Sequence, residues 1–121
     1  MSIQESINLS ITNQVAFIEW DLVGEKVNKL SSPMMARFKE LLIEVNENSQ
    51  LKGLVICSKK PGIFIAGADI EEIKKLSTET EFLSALKEAH SIFNMLEDLK
   101  IPTLAAIQGV CLGGGLELSL A

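Results

Sequence analysis

The sequence predicts an α/β domain, and three observations lead there. Hydrophobic periodicity changes along the chain between a repeat of two and a repeat near 3.6, so strand patterns alternate with helix patterns. Small residues and helix-capping signals sit where one pattern gives way to the next. No linker, internal repeat or low-complexity tract divides the 121 residues, a length that suits one domain.

The elements follow in order. Ile7, Leu9 and Ile11 alternate with Asn8, Ser10 and Thr12, the period of a half-buried strand. Asn13-Gln14 is a turn, and Val15–Trp20 is the returning strand of a hairpin. Residues 21–30 show no period and form a loop. Ser32 before Pro33 marks a helix start, with Ser32 as cap and proline at the first helical position. Phe38, Leu41, Leu42 and Val45 continue that helix at helical spacing until the polar run 46–49. Leu54-Val55-Ile56-Cys57 has the look of a strand covered on both faces. After the Lys59–Gly62 loop, Ile63–Ala66 forms a second short strand. Asp69 and Glu72 have capping-box spacing for a helix beginning at Ile70. A longer helix spans Thr80–Leu99, with Phe82, Leu86, Ala89, Phe93 and Leu96 on its apolar stripe. Pro102 ends it, residues 103–107 form a buried strand, and a glycine-rich turn leads into a helix over Leu116–Ala121. That last pattern breaks off inside an apolar helix without a stop signal, which suggests a domain truncated at its C-terminal end.

Composition narrows the function. Hydrophobic residues make up 47% of the chain, rich for this length. A net charge of −5 argues against a nucleic-acid partner, which needs basic patches. Cys57 and Cys111 lie far apart, and with His90 the single histidine no ligand spacing for a metal is visible. Both cysteines have apolar neighbours, which predicts buried, reduced thiols in the cytoplasm or, in a eukaryote, the mitochondrial matrix. The segment MSIQESINLS has neither the basic nor the apolar region of a secretory signal. The weakly charged stretch 101–121 is interrupted by Pro102, its glycines and Glu117, so it predicts a buried strand–turn–helix rather than a membrane span.

Two glycine-bearing segments have the makings of a site, Ala66-Gly67-Ala68-Asp69-Ile70 and Gly109–Glu117. Each is a strand-to-helix junction, where the first N–H groups of a helix lack intrahelical acceptors. Two such amides from different loops can hold a developing oxyanion. Either loop alone is as well explained as a tight turn. A dinucleotide fingerprint from Gly113 fails at Leu118, and a phosphate loop from Gly109 fails at Gly115, where lysine is required. Gly109-Val110-Cys111-Leu112-Gly113 keeps the form of a nucleophile elbow with cysteine for serine, so a Cys111 hydrolase stays open. Such an enzyme would need an acid and a histidine further along, whereas His90 comes earlier. Taken alone, Glu117 is a helix-dipole partner, Asp69 a cap and Cys111 a small buried thiol.

Taken together, Phe64–Ile70 and the later pair Ala105–Gly109 and Leu112–Leu118 resemble the crotonase (enoyl-CoA hydratase/isomerase) superfamily. The likeness extends over nearly the whole chain, including Val27-Asn28-Lys29-Leu30-Ser31. Within the superfamily, Phe64–Ile70 and Cys111–Leu118 are most similar to the hydratase domains of multifunctional fatty-acid oxidation proteins. In those proteins an NAD-dependent 3-hydroxyacyl-CoA dehydrogenase follows the hydratase. The resemblance implies a spiral of ββα units, of which residues 1–121 would be the N-terminal part. It also implies an enoyl-CoA hydratase that acts on 2-enoyl-CoA thioesters in fatty-acid β-oxidation.

Carried over by residue, the N–H groups of Ala68 and Gly114 form the oxyanion hole, and the Ala66–Ala68 backbone, with Gly67, lies along coenzyme A. Glu117 is the first of two catalytic glutamates, the second falling beyond residue 121. The hydratase step needs no metal or organic cofactor, NAD belongs only to a later domain, and oligomers are expected. The alternatives are another crotonase-type isomerase or hydrolase, the Cys111 hydrolase, and an inactive acyl-CoA-binding fragment.

Overall fold

The computed structural model describes residues 3–121. Met1 and Ser2 lie outside them, and with them the start of the segment read as lacking a signal. Eleven elements follow one another among the described residues: α1 (Ile3–Ser6), β1 (Ile7–Thr12), β2 (Val15–Trp20), α2 (Ser32–Glu47), β3 (Gly53–Ser58), β4 (Ile63–Ile65), α3 (Ile70–Ile73), α4 (Glu79–Glu97), β5 (Thr103–Ala105), β6 (Val110–Cys111) and α5 (Gly114–Leu120).

β1 and β2 form the expected hairpin, paired from Ile7↔Trp20 to Thr12↔Val15. Asn13 and Gln14 both take positive φ, at 50° and 66°, the turn whose twist suits a two-residue hairpin. β3 then joins β2 in parallel, and β5 joins β3 in parallel, giving the order β1-β2-β3-β5. β4 and β6 pair separately, also in parallel. Parallel pairing requires crossovers, and α2 and the α3–α4 segment supply them. The core between the larger sheet and α2 holds Ile7, Ile18, Trp20, Phe38, Leu41 and Leu54, with Trp20 edge-on to Phe38 at 5.4 Å between ring centroids.

Several local expectations are corrected. The cap of α2 is Ser31, whose hydroxyl accepts from the Met34 N–H, because Ser31 has the extended backbone that a cap requires. Ser32 is already helical, and its N–H and hydroxyl donate to the Glu72 carboxylate. The Asp69/Glu72 box is therefore only half made. Asp69 accepts from the N–H groups of Glu71 and Glu72, while Glu72 turns to α2 rather than back to its own cap. A complete box occurs one helix later, between Thr78 and Glu81, a signal that sequence reading passed over. Donors on Ser77 and Thr78 hold the Glu81 carboxyl below its ordinary range.

β3 alternates buried Leu54 and Ile56 with half-exposed neighbours instead of being covered on both faces. β5 is shorter than expected and not buried: Thr103 and Leu104 are exposed on the outer strand of the sheet. Along α4 only Ile92 and Leu96 are buried, whereas Phe82 and Leu86 are exposed. Both cysteines are half-buried rather than buried. Burial, with Glu19 nearby, pushes the Cys57 thiol up, and Lys59 opposes them. Among the described residues no helix is long and apolar enough to cross a membrane.

Candidate active site

The two glycine-bearing loops leave the paired strands β4 and β6 at the same end and meet. The Val110 N–H donates to the Gly62 carbonyl at 3.0 Å and the Leu112 N–H to the Ile65 carbonyl at 3.1 Å, so the second loop is laced along the first. Beyond the lacing the backbones close up. An added Cβ on Gly67 would lie 3.4 Å from the Leu112 carbonyl oxygen, and one on Gly113 would lie 3.8 Å from the Gly67 Cα. The glycines thus let the two backbones pack at van der Waals distance, with Gly67 and Gly113 both at positive φ. They also reach further into α5 than expected: the helix begins at Gly114, not Leu116.

A third segment, 28–30, shapes the first loop. The Ala66 N–H donates to the Asn28 carbonyl at 2.9 Å and the Leu30 N–H to the Gly67 carbonyl at 2.8 Å. In an unbroken parallel ladder counted from the Asn28–Ala66 bond, the Leu30 N–H would reach the Ala66 carbonyl and the Leu30 carbonyl would take the Ala68 N–H. It takes the Asp69 N–H instead, at 3.2 Å. One extra residue has been accommodated, with Gly67 at φ +121°, a bulge that a side chain would resist. Its consequence is chemical: the Ala68 N–H donates to no acceptor among the described residues. The Gly114 N–H is likewise unpaired among them, because it opens α5 and the turn before it is closed by the Gly115 N–H on the Leu112 carbonyl. The two groups are neighbours, since a Cβ on Gly114 would stand 3.9 Å from the Ala68 nitrogen.

Ala68 and Gly114 both line a cavity of about 880 Å³ bounded by α2, α3, α4 and the start of α5. Its wall is largely apolar, with Leu30, Met35, Ile73, Ala89 and Phe93 contributing. Glu117, exposed in the first turn of α5, lines it too. Asp69 is at its edge with its carboxylate occupied by helix N–H groups. Ala66 and Gly67 sit in the backbone leading to Ala68 but do not line the cavity. Neither Cys111 nor His90 lines it either: the Cys111 sulfur lies 3.5 Å from the Ser119 hydroxyl, and His90 is exposed on α4. Among the described residues no group of three or more His, Cys, Asp or Glu could hold a metal ion.

Sequence reading missed the Asn28–Leu30 segment as part of the site. Its signal was the likeness of Val27–Ser31 to the superfamily, but only the hydrogen bonds give it a task. The arrangement offers two unpaired donors, a carboxylate and an apolar chamber, the set needed to stabilise a developing oxyanion and move a proton beside an apolar group.

Known proteins carry the same arrangement of elements. The family pattern for enoyl-CoA hydratase/isomerase matches residues 11–121. The fatty acid oxidation complex subunit alpha of Vibrio parahaemolyticus is 38% identical over the whole of this chain, and that of Vibrio campbellii is 40% identical. The chain spans 17% of the length of those relatives. An enoyl-CoA hydratase from Bacillus anthracis superposes with a TM-score of 0.87 at 29% identity, covering 95% of this chain and 44% of that one. An enoyl-CoA hydratase/isomerase family protein from Hyphomonas neptunium gives 0.87 at 31% identity, covering 99% and 46%. With the family pattern spanning all but the first ten residues and the strand–loop–helix geometry in place, the chain belongs to the enoyl-CoA hydratase/isomerase family.

Proposed function

We propose that this chain is the N-terminal part of an enoyl-CoA hydratase domain that adds water to 2-enoyl-CoA thioesters in fatty-acid β-oxidation, within a cytoplasmic multifunctional protein. The observation that carries the reading is the pair of unpaired amides, Ala68 and Gly114, opening with Glu117 on one apolar cavity. Attack of water on C3 of the enoyl thioester drives the double-bond electrons toward the thioester oxygen, giving an enolate-like species. Two fixed N–H donors favour that charge more than the neutral ground state, which is what lowers a barrier. Glu117 accepts or orients the water proton, and a proton delivered to C2 completes the addition. The half-coverage of solved hydratases supports placing the remaining acid–base group outside these residues.

A Cys111 hydrolase has less support, because Cys111 is off the cavity and its sulfur is turned to Ser119. The test is hydration of a 2-enoyl-CoA by the full-length protein, followed through loss of the conjugated-enoyl absorbance, in wild type and Glu117→Gln. The variant is expected to lose roughly 10²-fold or more in rate while binding the thioester about as well. Near-normal turnover in a folded variant would reduce Glu117 to a helix-dipole partner.

A further inference from the structure

Asn28 is fully buried, and its polar side chain has had no role so far. Its side chain is fully engaged. Oδ1 accepts the Leu22 N–H at 3.0 Å, and Nδ2 donates to the Phe64 carbonyl at 2.9 Å, the Ser58 hydroxyl at 2.9 Å and the Trp20 carbonyl at 3.3 Å. Trp20 and Ser58 end β2 and β3, and Phe64 is the middle of β4. One amide therefore ties two strand ends to the strand that carries the first loop. The same residue's carbonyl takes the Ala66 N–H, directly before the bulge that turns the Ala68 N–H away from Leu30.

We propose that Asn28 is a positioning residue that sets the direction of the Ala68 N–H. The inference rests on the oxyanion-hole reading of Ala68. The bulge has two fastenings on the 28–30 segment: the Asn28 carbonyl before it, and the Leu30 N–H and carbonyl after it. If Asn28 shifts, both shift together, and the Ala68 donor turns relative to Gly114. An apolar residue here would fill the space but leave buried N–H and C=O groups without partners, so the segment would rearrange. Lys60 offers an internal comparison. It is also buried, and its ammonium braces the same 21–30 loop through the Asp21 carboxylate at 3.0 Å and the Leu22 and Glu25 carbonyls at 2.9 and 2.8 Å. Its side chain makes no bond to residues 66–69, so it supports the loop without aiming the amide.

The experiment compares Asn28→Asp, Asn28→Ser and Lys60→Met in the full-length protein. Asn28→Asp keeps shape and the acceptor but removes the amide donors; Asn28→Ser keeps one hydroxyl donor should the first variant fold poorly. Steady-state 2-enoyl-CoA hydration is measured beside backbone hydrogen exchange at Ala66 and Asp69. Asn28→Asp is expected to lower kcat by roughly 10²-fold, the scale of losing one oxyanion donor, with KM little changed. Asn28→Ser should fall between it and wild type, and Lys60→Met should lose stability yet keep kcat near wild type. Exchange at Ala66 and Asp69 should accelerate in the Asn28 variants alone. The proposal is overturned if the Asn28 variants lose no more kcat than Lys60→Met, or if exchange at Ala66 and Asp69 is unchanged. If wild type shows no hydration, the hydratase reading fails by itself, and the exchange data still decide whether Asn28 holds the bulge.

Discussion

Replacing Gly115 by alanine tests whether the glycine run is a packing seam that places α5. An alanine Cβ at this position would stand 2.4 Å from the Ile65 carbonyl oxygen and 2.9 Å from the Ile65 Cβ. Ile65 is fully buried in β4 and its carbonyl already holds the Leu112 N–H, so it has nowhere to retreat. Ordinary contact begins near 3.4 Å, so the start of α5 must withdraw by about 1 Å. Gly114 and Glu117 travel with it. A displacement of about 1 Å at reacting groups costs on the order of 10²-fold in rate, and overpacking costs about 1–3 kcal/mol in stability. The assay is 2-enoyl-CoA hydration by full-length Gly115→Ala, with urea unfolding alongside; kcat should fall by that factor and KM change little. Gly114→Ala makes the contrast. Its Cβ would meet the Leu30 Cδ1 at 2.7 Å, but that is the end of a side chain able to swing aside, so the loss of stability should be smaller. Wild-type turnover and stability in Gly115→Ala, or a greater loss of stability in Gly114→Ala, would refute the seam argument.

Two further outcomes are expected. Cys111→Ala in the full-length protein should keep most of the hydratase rate, because the thiol faces Ser119 and not the cavity; an acyl-thioester trapped on Cys111, with activity lost in the variant, would favour a hydrolase. The 121-residue chain assayed alone should hydrate enoyl-CoA poorly and self-associate, since Leu104, Leu112, Leu116 and Leu120 are 59%, 58%, 48% and 79% exposed. A monomeric, stable chain as active as the full-length protein, read by sedimentation and the same hydration assay, would contradict that.

The sequence by itself determined whatever depends on near neighbours. The Asn13-Gln14 hairpin, the helix over Phe38–Val45, the Asp69 cap and the strand-to-helix character of both glycine loops are local matters of period, φ preference and capping, and all are found. It also carried the family, because Phe64–Ile70 and Leu112–Leu118 together form a pattern that neither has alone. Tertiary structure decided what depends on distant partners. Glu72 has the spacing to close its own helix cap but is drawn to Ser32, forty residues back, because the start of α2 lies within reach. Val55, Leu104 and Phe82 look like core residues, yet their exposure depends on which layers cover β3, β5 and α4. The unpaired state of Ala68 is the clearest case. It arises because segment 28–30 pairs with 66–69 one residue out of step, and hydrogen-bond register between segments so far apart is a property of the assembled fold, not of either stretch of sequence.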